Sequence, residues 1–197
     1  RAQGYLAGRG VDSPRLDAEL LLADVLACDR LSLYTGYDRP LTTAETDAYR
    51  ASIARRAIRE PVAYILGRKG FRTIELTVGP QVLVPRPETE LLVDWGLQLA
   101  AAGARVLDWG TGSGAIALSL VAERPDLEVT AIDRSEAALA IARGNDPHGR
   151  VRWVCSLGFA NLQGDTFDLI LANPPYLADA ELAMLAPELG HEPREAL

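Results

Sequence analysis

Apolar residues recur at helical spacing through the first third of the chain and at strand spacing soon after it. Between Ser13 and Ala27, Leu16, Leu20, Ala23 and Leu26 fall along one helical face, and Ser13-Pro14 supplies an N-cap followed by a first-turn proline. Thr42 and Glu45 stand at capping-box spacing and open a second helix, which ends near Arg59 because Pro61 disfavours a helical Glu60. A short turn from Val62 to Leu66 closes on Gly67. Residues 1–68 therefore read as a helical bundle.

The period changes at Phe71. Ile74, Leu76 and Val78 alternate with polar residues, and the segment closes at Gly79-Pro80, so residues 69–87 read as a linker that holds a β-hairpin. Glu88 to Leu99 returns to helical spacing with acidic residues in its first turn. From Ala104 the order is strand (105–108), helix (from 115), strand (129–133), helix (135–143) and two more strands (151–155 and 167–172). Short apolar strands alternating with helices predict a doubly wound, Rossmann-like α/β domain over residues 88–197, with a parallel sheet covered on both faces. Four strands leave a sheet edge that an intact doubly wound domain extends or covers, so the fold is expected to continue beyond the sequence.

Composition narrows the class. With 197 residues and 48% hydrophobic content the chain can bury a sizeable core. No apolar run reaches the ~20 residues that cross a bilayer, since Leu16 to Leu26 is broken by Asp17, Glu19 and Asp24. Arg1 to Gly10 lack the apolar block of a secretory signal. Cys28 and Cys155 have no metal-like or redox-like spacing and are expected to be buried, reduced thiols of a cytoplasmic protein. Residues 1–70 carry 11 Lys+Arg against 9 Asp+Glu, and residues 71–197 carry 9 against 18, so net charges of +2 and −9 make up the −7 of the chain. The acidic second part repels a polyanion, which argues against direct nucleic-acid binding.

Two motifs carry chemistry. Asp108-Trp109-Gly110-Thr111-Gly112-Ser113-Gly114 lies between a strand and a helix, where glycines permit close backbone approach and the helix offers free N–H groups. Asp133 ends the next strand about 20 residues on, as a ribose-binding carboxylate does. Gly110, Gly112 and Ala115 also fit the dinucleotide pattern, so spacing leaves NAD and S-adenosylmethionine both open. An acidic Asp108 suits the ammonium of S-adenosylmethionine better than a pyrophosphate, and the former is favoured. The second motif, Asn173-Pro174-Pro175-Tyr176, follows the last strand at the carboxyl edge of the sheet. The Asn173 side-chain oxygen and the Pro174 carbonyl offer two acceptors to an NH₂ group, the prolines stiffen the loop, and Tyr176 offers a stacking face. That arrangement fits methylation of a planar nitrogen, whose delocalised lone pair must be oriented toward the methyl donor.

Together these motifs resemble class I methyltransferases acting on planar nitrogen, a group that includes adenine-N6 methyltransferases and the HemK/PrmC glutamine methyltransferases. Three further features resemble the second family: the helical N-terminal part, Val82-Leu83-Val84-Pro85-Arg86-Pro87-Glu88-Thr89-Glu90, and Glu192-Pro193 with Ala196-Leu197. The resemblance implies an enzyme that takes its methyl group from S-adenosylmethionine and leaves S-adenosylhomocysteine. Its substrate would be the glutamine of the Gly-Gly-Gln loop of peptide chain release factors, docked in part by the N-terminal bundle. It also implies cofactor contacts at Asp108, Gly110, Thr111, Gly112, Ser113, Gly114, Asp133 and Asn173, substrate contacts at Asn173, Pro174, Pro175 and Tyr176, and catalytic roles for Asn173, Pro174 and Tyr176. The sequence departs from the family at Trp109, where a smaller apolar residue is usual, and at Ser156-Leu157-Gly158-Phe159, where an acidic and then an aromatic residue flank the adenine. A nucleic-acid adenine methyltransferase and a non-catalytic cofactor-binding scaffold are the rival readings. His148 and His191 read as surface residues, Arg55, Arg56 and Arg59 as a solvated basic face, and Cys28 and Trp95 as core or interface packing. No metal is expected, and the protein is expected to be a monomer.

Overall fold

The computed structural model describes residues 1–175 and 186–197, and the chain forms two compact units, Arg1–Leu66 and Gly67–Leu197.

The first unit is helical: α1 (Ala2–Ala7), α2 (Pro14–Val25), α3 (Ser32–Thr35), α4 (Thr43–Ala57) and α5 (Val62–Leu66). Leu6, Val11, Ala18, Leu21, Ile53 and Ala57 form its core, with Tyr49, Val62 and Ile65 packed against them. The capping box at Thr42 forms: Thr42 Oγ1 accepts from the Glu45 N–H at 3.2 Å, and the Glu45 carboxylate accepts from the Thr42 N–H at 2.8 Å. Ser13 occupies the N-cap of α2 but makes no side-chain capping bond. One expectation fails here. Arg56 is not part of a solvated face; it is buried and ion-paired with buried Asp17 at 2.7 Å, joining α2 to α4 inside the bundle. A charge pair in the interior holds only if both ions are satisfied, and the Glu60 carbonyl also accepts from Arg56 Nη1 at 3.1 Å.

The second unit opens with an antiparallel hairpin of β1 (Arg68–Phe71) and β2 (Ile74–Thr77) in register Arg68↔Thr77 to Phe71↔Ile74. Arg72 at its tip adopts φ +49, and its guanidinium is anchored to Asp94 and Glu123, each at 2.7 Å. Then follow α6 (Glu90–Leu99), β3 (Arg105–Trp109), α7 (Ala115–Glu123), β4 (Glu128–Asp133), α8 (Glu136–Gly144), β5 (Arg152–Cys155) and β6 (Leu169–Ala172). The four last strands make one parallel sheet in the order β5-β4-β3-β6, a doubly wound, Rossmann-like arrangement. The central strands are buried along most of their length, and Ala115 to Val121 of α7 are buried on every side. On one face of the sheet Leu107, Trp109 and Ile132 pack with Leu162 and Phe167; the period of two sends Val106 and Asp108 to the other face, under α7.

Among the described residues β6 is an edge strand, with Ile170 half exposed. Trp95 is not core: it is 56% exposed on α6, in an exposed row with Leu91 and Leu99 at four-residue spacing. Cys28 and Cys155 are half-buried free thiols rather than buried ones. No helix of the described residues is long and apolar enough to cross a membrane.

Candidate functional site

The loops that follow β3, β4, β5 and β6 meet at the carboxyl edge of the sheet around a cleft of about 250 Å³. Gly110 to Ser113, Asp133, Asn173 and Pro175 all line it, so the glycine loop and the asparagine loop share one space. Asp108, Gly114 and exposed Pro174 do not line it. Tyr176 lies outside the described residues.

The glycine loop is bound to the strand beside it. The Gly110 and Thr111 N–H groups donate to the Ile132 carbonyl at 3.0 and 2.9 Å, and the Gly112 N–H donates to Asp133 Oδ2 at 2.9 Å. Asp133 Oδ1 accepts from the Ser135 N–H at 2.9 Å, while Ser135 caps α8 through Ala138. Each Asp133 oxygen thus spends one acceptor position on the backbone, and a carboxylate oxygen has two. One position per oxygen remains, enough for a vicinal pair of hydroxyls.

Glycine is required at position 114. The backbone there has φ +86, and a Cβ would sit 2.9 Å from Trp153 and 3.0 Å from Leu118. Gly110 and Gly112 are different: nothing lies within 4 Å of where their Cβ would be, so that side of the loop is open. Because Gly114 is the N-cap of α7 and has no side chain to cap with, Asp108 supplies the cap from β3. Its Oδ2 accepts from the Ala117 N–H at 3.2 Å and from the Thr111 hydroxyl at 2.6 Å. Oδ1 is buried with no hydrogen-bond partner among the described residues. Burial pushes this carboxyl up to about 6, against the two hydrogen bonds, which lower it, and with the nearby Asp133 charge, which raises it.

The segment before α6 forms another wall. Val82, Leu83, Pro85, Arg86 and Thr89 line the cleft. Buried Glu192 ties this segment to the C-terminal residues, since its carboxylate accepts from the Val84 N–H at 3.0 Å and from the Arg86 guanidinium. Asn145 clips the hairpin to the glycine loop: it accepts from the Thr77 N–H at 2.8 Å and donates to the Thr77 and Ser113 carbonyls, both at 3.0 Å. Asn173 Nδ2 donates to Thr89 Oγ1 at 3.2 Å. Sequence reasoning assigned no role to Thr89, Asn145, Glu192 or Arg86. Three of the four lie in stretches whose family resemblance marked them, but their partners are distant in sequence. At the rim, Leu157 is 76% exposed, whereas buried Ser156 donates to the Gly158 carbonyl at 2.9 Å and accepts from the Asn161 N–H at 3.1 Å. His148 is exposed, and no cluster of three or more metal-type ligands occurs among the described residues.

The fold and the cleft together define the class: a Rossmann-like methyltransferase domain preceded by a helical unit. Residues 1–67 match the PrmC N-terminal domain family, and residues 87–197 match the methyltransferase small domain family. A release factor glutamine methyltransferase of Geobacter sulfurreducens is 44% identical over 99% of this chain and 70% of its own length. That of Chlorobaculum tepidum is 44% identical over 98% and 71%, and that of Salmonella typhimurium 42% over 96% and 70%. The chain belongs to the release factor glutamine methyltransferase family.

Proposed function

We infer that the chain transfers a methyl group from S-adenosylmethionine to the side-chain amide nitrogen of the glutamine in the Gly-Gly-Gln motif of peptide chain release factors, leaving S-adenosylhomocysteine. The observation that carries the reading is the shared cleft: an open glycine loop backed by Asp133 on one side, and the Asn173 amide on the other. The residues fit the cofactor. Asp133 keeps one free acceptor position per oxygen for the ribose hydroxyls, Gly110 and Gly112 leave room for close approach, and the buried Asp108 carboxylate, behind the Gly110–Ser113 wall of the cleft, offers a negative charge to the ammonium group rather than a contact.

The cofactor supplies an electrophilic methyl group on a sulfonium. The chain supplies orientation. With Asn173 Nδ2 committed to Thr89, Oδ1 is the atom left to accept an N–H of the substrate, and the Pro174 carbonyl accepts the other. Holding both hydrogens in the amide plane directs the nitrogen lone pair out of that plane, and the two acceptors stabilise the positive charge that nitrogen gains as it is alkylated. The alkylated nitrogen is acidic and loses its proton to solvent, so no dedicated base is needed. Pro175 stiffens the loop, and Tyr176 is assigned the stacking face. The domains are assigned as residues 1–68 for substrate docking, 69–87 as the linker with the hairpin, and 88–197 for methyl transfer. The reading places a monomeric enzyme in the cytoplasm with a protein partner and no direct nucleic-acid contact.

A methyl-transfer assay offering a release factor and duplex DNA side by side tests this, with Asn173→Ala as the paired variant. Expected is one methyl group on the Gly-Gly-Gln glutamine, none on DNA, and loss of turnover in the variant with S-adenosylhomocysteine affinity kept. Methylation of adenine instead would favour the rival enzyme, against which the −9 balance of residues 71–197 stands. An Asn173→Ala protein that keeps its biological effect would indicate a scaffold.

A further inference from the structure

We propose that Thr89 is a positioning residue for methyl transfer, tethering the Asn173 side chain at the cleft wall where its oxygen meets the substrate; the proposal rests on the functional reading above. An asparagine amide has oxygen on one side and NH₂ on the other in almost the same shape, so packing alone selects neither orientation. Only one orientation is productive. With oxygen toward the cleft, Asn173 accepts from the substrate NH₂; reversed, it presents donors to a group whose nitrogen also carries donors.

The 3.2 Å hydrogen bond from Asn173 Nδ2 to Thr89 Oγ1 tethers the amide in that productive pose; because a hydroxyl donates as well as accepts, the bond holds the side chain in place at the cleft wall rather than excluding the reversed amide. Both residues line the cleft. Thr89 is buried, and it ends the 3-10 turn Pro87–Thr89, where its N–H donates to the Arg86 carbonyl at 3.0 Å. Pro85 and Pro87 restrict the backbone leading into that turn, so the acceptor is presented from a stiff segment independent of the asparagine loop. Among the described residues Asn173 is the partner shown for the Thr89 hydroxyl. A buried hydroxyl costs free energy unless it is hydrogen-bonded, and valine would fill the same volume. The bond to Asn173 is therefore what offsets burial of the hydroxyl.

The test compares Thr89→Val and Thr89→Ser in the full chain, measuring kcat and KM with a release factor, S-adenosylhomocysteine affinity, and Tm. Thr89→Val should lower kcat roughly tenfold, the loss of one orienting hydrogen bond. Thr89→Ser, which restores the hydroxyl, should recover most of that loss. Cofactor affinity should hold in both, and the kcat loss should follow the hydroxyl rather than Tm, which a packing role would not allow. Wild-type kcat in Thr89→Val, or an equal loss in Thr89→Ser, overturns the assignment. If Thr89→Val does not fold, Thr89→Ser against Thr89→Ala replaces it: both lack the same methyl group, so an equal kcat in the two overturns it as well. A wild-type chain that leaves the glutamine unmodified overturns the functional reading itself, and this role with it.

Discussion

Replacing Asp108 by asparagine separates what the fold needs from what the cofactor needs. The carboxyl is fully buried, and burial lifts it from its ordinary 3.8 to about 6. A carboxyl whose folded-state pKa lies above its unfolded value binds its proton more tightly when folded. Stability from that proton is present below about pH 4 and is lost as pH rises through about 6. At 1.36 kcal/mol per pKa unit, the full loss is about 3 kcal/mol. Asparagine keeps the shape and one oxygen to accept from Thr111 and Ala117, with no charge to desolvate. Between pH 4 and pH 8 Asp108→Asn should therefore gain about 3 kcal/mol on the parent, set against a roughly 1–3 kcal/mol cost at every pH of burying its NH₂ where Oδ1 now has no partner. The amide cannot neutralise an ammonium, so S-adenosylhomocysteine affinity should fall about tenfold or more. In the parent, affinity should weaken below about pH 6 as the carboxyl protonates; in the variant it should not. Trp95, Trp109 and Trp153 all lie in the α/β unit, so guanidinium unfolding followed by tryptophan fluorescence reports that unit alone, and calorimetric titration gives the affinity. A variant whose stability relative to the parent is the same at pH 4 and pH 8, and which binds the cofactor as well as the parent, would refute the reasoning, because the carboxylate would then serve the cap of α7 and nothing else.

Two further outcomes follow from packing. Gly114→Ala places a Cβ 2.9 Å from Trp153 at φ +86 and should cost about 1–3 kcal/mol by tryptophan-monitored unfolding, together with weaker cofactor binding; an unchanged midpoint would show that the loop shifts freely. Asp17→Ala removes the 2.7 Å ion pair that joins α2 to α4 through buried Arg56 and should destabilise the helical unit by about 3 kcal/mol by circular dichroism, while Asp17→Leu with Arg56→Met should return close to the parent; additive losses in the double variant would contradict a coupled buried pair.

Much of the architecture was readable because its determinants are local. The Thr42–Glu45 capping box spans three residues, and the strands from Arg105 onward show as apolar runs bounded by turn residues. What escaped was either too short or too distant. α1 has six residues and buries only Leu6, and α3 has four and buries none, so neither shows a period. Arg56 looked like its neighbours Arg55 and Arg59 because the partner that draws it inward stands 39 residues away. Trp95 read as core or interface packing because its helix is apolar, and the structure excludes core because only one side of α6 packs: a Cβ on Gly96 would lie 2.7 Å from Leu171, which places β6 against that side and leaves the Leu91–Trp95–Leu99 row outward.

The site divides along the same line. The glycine turn, Asp133 and the Asn-Pro-Pro segment can be found by spacing because each lies at the end of a strand, where a parallel sheet gathers its loops. The side chains that hold these parts in place are linked across 68 residues for Asn145 and Thr77, 84 for Thr89 and Asn173, and 108 for Val84 and Glu192. Asp108 shows how the two levels meet. Its place before the glycines suggested a ligand contact, and the period of the strand sends it under α7, where it caps the helix through one oxygen and leaves the other unsatisfied. A cap alone needs no second buried oxygen at the cost of a carboxyl driven up to about 6. Asparagine in its place would keep the cap but bury an NH₂ where Oδ1 now lies, so the position holds an acceptor whose partner the described residues do not supply.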